Sequence, residues 1–424
     1  MWNPLACGYV VAEMRLEGFL RKAFREGALE VALPGGRRIA LGDGSAPSVV
    51  VRISSAAWAA RIALNPEMAV GEAYMEGALQ LERGDIYDLI DLAGRNFAWR
   101  PDLRRPGPFA RWRHDLLQTR NARRQARRNV AHHYDLSLDL YRRFLDEDLQ
   151  YSCAYFQHPG QSLEAAQQAK QRHIAAKLLV APGSRVLDIG CGWGGLALRL
   201  AAETGARVDG ITLSAAQLEH AQRRAEARGL AGRVRFSLTD YRDAGGAETA
   251  GAYDRIVSVG MFEHVGRPNY QAFFDKVAQL LTEDGVALIH AIGRSGGPSR
   301  TQPWIAKYIF PGGYIPALSE VLPAVERAGL VVADLETLRM HYAHTLRAWR
   351  ERFAAARGDL VASHGERFCR MWEFYLAASE TAFRHCGHFV FHLQLARRVD
   401  AVPTTRDYIA QAEQALGRAS RSVA

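Results

Sequence analysis

From about residue 160 onward, the spacing of hydrophobic and polar residues alternates between two periods. Short apolar runs such as SRVLDIG (184–190), VALIHAIG (286–293) and, near the end, FVFHLQLARR (389–398) are typical of buried strands. Amphipathic segments such as SLEAAQQAKQRHIAAKLLV (162–180) lie between the strands and predict helices. Strands that alternate with helices predict an α/β fold, with a doubly wound and mostly parallel sheet covered on both faces.

The first hundred residues follow a different pattern and predict a small separate α+β domain. ALEVALPGGRRIAL (28–41) is typical of a β-hairpin that turns at Gly35 and Gly36, and SVVVRIS (48–54) predicts another strand. The segment from 65 to 94 predicts helices. We place the domain boundaries at 1–98 for the small domain, 99–128 for a basic linker and 129–424 for the large domain.

The net charge of +9 is concentrated in the linker. Residues 100–128 hold ten arginines against Asp102 and Asp115. Such a segment suits an anionic surface, either nucleic acid or acidic phospholipid, although a solvated linker is the simpler reading. Trp99 and Trp112 flank or interleave with the arginines and favour peripheral contact with a membrane.

The cysteines and the N-terminus indicate a cytoplasmic protein. Five cysteines are scattered without any CxxC pair, which argues against a disulfide framework and against a structural metal site. The N-terminus lacks the pattern of a signal peptide, and no run of about 18 apolar residues predicts a transmembrane helix.

A glycine-rich turn, VLDIGCGWGG (186–195), joins a predicted strand to the next helix. Asp188 lies at the end of the strand, where doubly wound sheets bind ligands, and the glycines allow the backbone to approach a ligand closely. No GK[ST] follows, so the turn is not a P-loop. A dinucleotide fold remains open, but the D-x-G-x-G-x-G spacing resembles motif I of class I methyltransferases that use S-adenosylmethionine. The next strand ends at Thr212, where such enzymes usually carry an acid for the ribose.

Several segments together resemble one family. YSCAYF (151–156), FEHVG (262–266) and PGGYIP (311–316) are specific to it, and GITLSAAQ (210–217) and HYAHTLRAWRERF (341–353) fall in the family's order. The chain resembles cyclopropane-fatty-acyl-phospholipid synthases and the related mycolic acid cyclopropane synthases over roughly residues 130–400. The resemblance implies the seven-stranded sheet of class I methyltransferases.

The resemblance also implies a reaction and its residues. A methyl group of S-adenosylmethionine is transferred to the cis double bond of an acyl chain in a membrane phospholipid, and the resulting cation loses a proton to a bound bicarbonate as the ring closes. The implied bicarbonate ligands are Cys153, Glu263, His290, the backbone of Ile292, and Tyr342. The implied cofactor residues are Tyr151, Ser152, Asp188, Gly190, Gly192, Gly194, Thr212, Gln217, Asp240 and Tyr241.

The implied reaction explains why residues of these types are needed. An alkene is a weak nucleophile, so the enzyme must align it with the methyl donor and exclude water. A small anion held by hydrogen-bond donors is a base that carries no tethered nucleophile. We expect Cys153 to be a weak donor in the wall of this cage, and Glu263 to orient His290 or to share a proton with the anion. His264 is the alternative to His290 as the functional histidine of the site.

The remaining expectations concern substrate and partners. In the family, the aromatic insert at 298–321 helps to form the acyl-chain pocket, and amphipathic helices at 345–386 cover it. The resemblance implies contact with the inner face of the membrane, and a homodimer.

Other functions stay open at this stage. One alternative is a methyltransferase that leaves a methyl or methylene branch on the same alkene. A nucleic-acid methyltransferase fits the charge, but no [ND]PP[YF] motif or Pro-Cys pair follows motif I. A lipid-binding protein without activity is disfavoured because every expected cage residue is present.

Overall fold

The computed structural model describes residues 4–97, 138–245 and 250–422. The chain folds into two compact units, neither of which is continuous in sequence. The basic linker at 99–128 lies outside the described residues. The small unit comprises Met1–Arg111, Thr301–Pro311 and Leu346–Gly387, and the large unit comprises Trp112–Arg300, Gly312–Thr345 and His388–Ala424.

A four-stranded sheet with the order β2-β1-β3-β4 forms one side of the small unit. The predicted hairpin is present as β1 and β2, which pair antiparallel. The prediction of helices over 65–94 holds for α3 and α4 but was wrong between them, where β4 forms and pairs with β3. The strands are β1 (Ala28–Ala32), β2 (Arg38–Gly42), β3 (Ser48–Ile53) and β4 (Leu79–Arg83); helices α1 (Pro4–Ala23), α2 (Ala56–Leu64), α3 (Pro66–Met75) and α4 (Ile86–Phe97) accompany them.

Two later segments of the chain join the small unit through specific contacts. The ring of Trp304 lies 4.6 Å from that of Phe374, and a Cβ on Gly71 would come within 2.5 Å of the Trp304 indole nitrogen. The buried carboxylate of Glu380 pairs with Arg350 and with Arg384. Parts of the aromatic insert and of the C-terminal helices therefore pack with the first hundred residues, a grouping that local sequence patterns did not reveal. Their helices are α10 (Pro303–Tyr308), α13 (Arg357–His364), α14 (Glu366–His385) and the later turns of α12 (His341–Ala355).

The large unit is built on a seven-stranded sheet with the order β10-β11-β9-β8-β5-β6-β7. Strands β9, β8, β5, β6 and β7 run parallel, and β11 is antiparallel to both of its neighbours. The predicted class I methyltransferase sheet is confirmed. The strands are β5 (Arg185–Ile189), β6 (Arg207–Thr212), β7 (Val234–Leu238), β8 (Tyr253–Val259), β9 (Leu281–Arg294), β10 (Val331–Leu338) and β11 (His388–Ala396).

Helices cover both faces of this sheet. Adjacent residues Ile256 and Val257 of β8 are both fully buried but belong to different hydrophobic clusters, as do Leu288 and Ile289 of β9. Successive side chains of a strand point to opposite faces, so the two clusters are the two layers of the core. The helices are α5 (Leu138–Phe144), α6 (Leu163–Lys177), α7 (Gly195–Thr204), α8 (Ala215–Ala227), α9 (Tyr270–Leu280), α11 (Leu318–Arg327) and α15 (Asp407–Ser422).

Candidate active site

The glycine turn follows β5 and leads into α7. Gly190 has φ 85°, and a Cβ at this position would come 2.9 Å from the Met261 side chain. Gly194 has φ 82°, and its Cβ would come 2.8 Å from the ring of Phe236. Only glycine adopts these backbone angles without strain, so the sequence of the turn is dictated by its close packing.

A cavity opens at the carboxyl ends of β5, β6 and β8 in the large unit. Nine of the ten predicted cofactor residues line it, whereas Gly194 packs against Phe236 instead. His264 lines the cavity too, together with Met261 and Val265. The nine residues are Tyr151, Ser152, Asp188, Gly190, Gly192, Thr212, Gln217, Asp240 and Tyr241.

A short hydrogen-bond network forms the part of the cavity wall that follows β6. Thr212 Oγ1 donates to Gln217 Oε1 over 3.0 Å and accepts from the Ser214 backbone N–H. Ser214 caps α8 by accepting from the Gln217 N–H. The Gln217 side chain does not return the bond to the Ser214 backbone, as it would in a capping box, because it bonds Thr212 instead. The wall therefore offers neutral hydroxyl and amide groups in place of the usual carboxylate.

Asp240, one of the implied cofactor residues, is bonded by Arg242, two positions further along the chain. Both carboxylate oxygens of Asp240 accept from the Arg242 guanidinium, at 2.8 and 2.5 Å. The ring of Tyr241 packs edge-on against Phe273 at 5.3 Å. Asp240 and Tyr241 both line the cavity, and these contacts orient their side chains.

A buried lysine that sequence analysis missed bonds two residues that line the cavity. Lys170 of α6 is 1% exposed, and its ammonium donates to Gln150 Oε1 at 2.5 Å and to Ser152 Oγ at 2.8 Å. Burial lowers the pKa of Lys170 to about 8, against the opposing attraction of nearby acids. Burial raises the pKa of Asp188 to about 7, and Lys170 opposes that rise. The signal in the sequence is a lysine on the apolar side of a predicted helix.

Glu263 lies in a short 3₁₀ turn (Phe262–His264) after β8. Its Oε1 accepts from the backbone N–H of Ile292 at 2.7 Å, and its Oε2 has no hydrogen-bond partner among the described residues. Burial raises the pKa of Glu263 to about 7, although the Ile292 N–H opposes the rise. Glu263 thus bonds the C-terminal part of β9 through Ile292. Its expected role, either orienting His290 or sharing a proton with the anion, stays a prediction.

His290 has a different partner. Its Nδ1 lies 2.8 Å from Nε2 of His392, which stands directly opposite it in the antiparallel register of β9 and β11. Burial, with nearby Lys170 and His173, lowers the pKa of His290 well below its usual value. Burial also lowers the pKa of His264 to about 4. Both histidines are therefore neutral at physiological pH.

Cys153 and Tyr342 complete the predicted cage set. Cys153 is fully buried, its Sγ lies 3.3 Å from the Ala154 carbonyl oxygen, and burial raises its thiol pKa. A neutral thiol is a weak donor and a poor nucleophile. The Ala154 N–H donates to Thr345 Oγ1, on the same helix as the buried Tyr342. None of the five cage residues lines the cofactor cavity, and their assembly around one anion stays a prediction.

One further cluster brings together possible metal ligands. His173, Glu336 and His392 place one ligating atom each within 4.8 Å of one another. The buried ammonium of Lys177 already lies 2.6 Å from Glu336 Oε2. His173 donates to Glu336 at 2.7 Å and contacts Glu413 at 2.5 Å; burial lowers its pKa, but these two carboxylates outweigh burial and raise it. The positive charges of Lys177 and of His173 thus stand beside Glu336, in the place where a metal ion would bring its charge.

Comparisons with known proteins show the family of the chain. The model of the mycolic acid cyclopropane synthetase family matches residues 121–393. The chain belongs to this family. A second model, a domain of unknown function (DUF7884), matches residues 16–98.

Two curated relatives span most of the chain. The cyclopropane-fatty-acyl-phospholipid synthase of Escherichia coli K12 is 40% identical over 350 residues, which cover 81% of this chain and 86% of that protein. The tuberculostearic acid methyltransferase UfaA1 of Mycobacterium tuberculosis is 38% identical over 406 residues, 90% of each chain. The expected enzyme family is confirmed.

Solved structures give the same result for the fold. The cyclopropane synthase MmaA2 of Mycobacterium tuberculosis is 33% identical with a TM-score of 0.60, and covers 66% of this chain and 99% of its own. The mycolic acid cyclopropane synthase CmaA1, solved with SAH and CTAB, is 34% identical with a TM-score of 0.59, and covers 63% and 97%. Among the described residues, no helix is long and apolar enough to cross a membrane.

Proposed function

We propose that this protein transfers the methyl group of S-adenosylmethionine to the cis double bond of an unsaturated phospholipid acyl chain and closes a cyclopropane ring. Membership of the family supports methyl transfer to a lipid alkene, and the 40% identity to a phospholipid synthase supports the acyl substrate. The observation that carries the proposal is the buried Glu263, which has an unpartnered carboxyl oxygen while its neighbours Met261 and His264 line the cofactor cavity.

The residues around the cavity suit S-adenosylmethionine. That cofactor supplies an electrophilic methyl group on a sulfonium. A Cβ on Gly192 would meet no atom within 4 Å, so the turn leaves open space for a ligand. Thr212 and Gln217 present neutral groups to the ribose hydroxyls, and the buried Asp188 lies at the strand end where the family binds the cofactor. Tyr151 and Ser152 also line the cavity.

The cage residues suit a small oxyanion such as bicarbonate. With a pKa of about 7, Glu263 carries a proton for much of the time at neutral pH, and a carboxylic acid donates to an anion that a carboxylate would repel. Neutral His290, the Tyr342 hydroxyl and the Cys153 thiol are the other donors that we assign. In this proposal the chain's own groups hold the base, and no side chain becomes alkylated.

A second product is supported by one specific observation. The relative matched over the largest share of the chain among those cited is a tuberculostearic acid methyltransferase. We therefore keep the enzyme that leaves a methyl or methylene branch as the alternative. The two outcomes share every step up to the loss of the proton.

We further propose that the enzyme works on the inner face of the membrane as a peripheral, cytoplasmic homodimer. The support is the excess of arginine at 100–128, which suits acidic headgroups. Arg123 and Arg124, the residues that we would test first, lie outside the described part of the chain.

The test is incubation of the purified protein with S-adenosylmethionine and vesicles of cis-monounsaturated phospholipid, followed by mass spectrometry and proton NMR of the acyl chains. A gain of one methylene with cyclopropane proton signals supports the proposal. The same gain without ring signals establishes the branch-forming enzyme. No gain, under conditions where the cofactor binds, rejects both. Vesicles of saturated lipid are the control.

A further inference from the structure

A buried pair of imidazoles lies at the centre of the sheet. His290 of β9 and His392 of β11 stand opposite each other, and His290 Nδ1 is 2.8 Å from His392 Nε2. The two side chains are 2% and 0% exposed. Because burial in cationic surroundings keeps both rings neutral, one of these two nitrogens carries the shared hydrogen and the other accepts it.

In one arrangement His290 Nδ1 donates the shared hydrogen, and in the other His392 Nε2 donates it. The second ring nitrogen of His392, Nδ1, decides between them. His392 Nδ1 is fully buried and has no hydrogen-bond partner among the described residues. If His290 donated, then His392 would carry its hydrogen on Nδ1, as a buried N–H without an acceptor. If His392 donates through Nε2, then Nδ1 is a bare lone pair. An orphaned donor is the rarer and costlier of the two in protein interiors.

The charges around His392 favour the same arrangement. The ring of His173, protonated between two carboxylates, lies 5.4 Å from that of His392 and nearly parallel to it. The buried ammonium groups of Lys177 and Lys170 also act on His392. Positive charge repels the hydrogen of an N–H and attracts a lone pair. The Glu336 carboxylate in the same cluster acts in the opposite sense, but besides burial it is the cations that lower the pKa of His392, and they favour a bare Nδ1.

We propose that His392 is a positioning residue that donates its Nε2–H to Nδ1 of His290, and thereby fixes His290 in the tautomer that carries its hydrogen on Nε2. This inference deepens the proposed function and rests on it, since it defines what His290 offers to the bound oxyanion. A histidine so held is a hydrogen-bond donor and does not accept the proton that the substrate loses. The proton removed from the new methyl group goes to the anion, and the electron pair of that C–H bond forms the ring.

The first experiment reads the tautomer directly and needs no activity. Long-range 1H–15N correlation spectra of the cofactor-free protein, labelled with 15N-histidine, distinguish protonated from bare ring nitrogens; the His290 signals are assigned with His290→Gln. We expect Nε2 of His290 to be protonated and Nδ1 bare. Protonation of Nδ1, or a charged His290 ring at pH 7.5, overturns the proposal. This measurement does not depend on whether the protein makes cyclopropane lipid. Failure of the tautomer assignment can therefore be distinguished from failure of the proposed function.

The second experiment distinguishes the hydrogen bond that His392 donates to His290 from the packing of the His392 side chain. His392→Gln can place an amide N–H near the position of Nε2, whereas His392→Phe fills the space without a donor. We expect kcat to fall roughly 10- to 100-fold in His392→Phe, with the KM for S-adenosylmethionine nearly unchanged, and to recover in His392→Gln. In His392→Phe, the His290 spectrum should become a mixture of tautomers.

A matched control uses the same strand. Gln394, two residues further along β11, is also fully buried, and its side chain bonds Tyr408 and the Lys177 carbonyl oxygen. Gln394→Leu should lower stability without changing the His290 tautomer. An unchanged tautomer and unchanged kcat in a folded His392→Phe would refute the positioning role.

Discussion

Glu263→Gln should make the cofactor-free protein more stable at neutral pH, while it slows the reaction. The carboxyl is buried, one of its oxygens has no partner among the described residues, and burial raises its pKa from 4.5 to about 7. The charged form is thus disfavoured in the folded state. Glutamine keeps an oxygen for the Ile292 N–H, has the same shape and never ionises.

The magnitude follows from the two pKa values. Below pH 4.5, the side chain is protonated in both the folded and the unfolded chain, and the wild type has its full stability. As the pH rises from 4.5 through 7, the unfolded chain ionises first and stability is lost, up to about 3 kcal/mol. The Glu263→Gln variant does not lose this stability as the pH rises. The stability of the variant relative to wild type should therefore grow by about 2 kcal/mol between pH 5.5 and 8.

The assay is urea denaturation of both proteins without cofactor, at several pH values from 5.5 to 8. Other groups that titrate in this range are common to both proteins and cancel in the difference. Glu320→Gln is the matched control, because the buried Glu320 carboxylate lies 3.1 Å from Arg267 and also caps the Ala317 N–H. That substitution should lower stability at every pH. Turnover of Glu263→Gln should fall sharply while cofactor binding stays near normal.

A difference between Glu263→Gln and wild type that does not change with pH would refute the reasoning. It would mean that the Glu263 carboxylate is as well solvated in the folded protein as in the unfolded chain. Loss of cofactor affinity in the variant would instead show that Glu263 belongs to the cofactor cavity.

Three further substitutions test other parts of the structure. Lys170→Met removes the ammonium that bonds Gln150 and Ser152, and should raise the KM for S-adenosylmethionine about tenfold in steady-state kinetics. It should also lower stability in urea denaturation, because the buried Asp188 loses the cation that offsets its charge. Gly194→Ala forces an alanine into φ 82° and against Phe236, and should destabilise the protein by about 2–5 kcal/mol in urea denaturation. Changing Arg123 and Arg124 to Glu should weaken sedimentation with anionic vesicles by roughly tenfold or more, most strongly at low salt; unchanged binding would count against the basic segment.

Much of the large unit could be predicted from sequence because its signals are local. The alternation of strand and helix periods fixes the class of the sheet, and the glycine turn marks the cavity at its edge. Thr212 was identified as an unusual end to the second strand, and it lines the cavity in the structure. These features depend on residues that are neighbours along the chain.

What sequence analysis missed depends on contacts between distant segments. Strand β4 was taken as helix because its identity comes from pairing with β3. The contact of Glu263 with Ile292, and that of His290 with His392, follow from the packing and register of strands that no local pattern records. Lys170 looks like an ordinary helix residue until the burial of its ammonium is known.

The place of β11 in the sheet has a consequence for synthesis on the ribosome. This strand is inserted between β9 and β10, and it begins more than ninety residues after β9 ends at Arg294. At about 5–20 residues per second, the edge of β9 stays unpaired for roughly 5–20 s, and that of β10, which ends at Leu338, for about half as long. Such edges invite pairing with other chains. We therefore expect this half-built sheet to be the stage of synthesis most exposed to mispairing, until residues 388–396 arrive and bring His392 to His290.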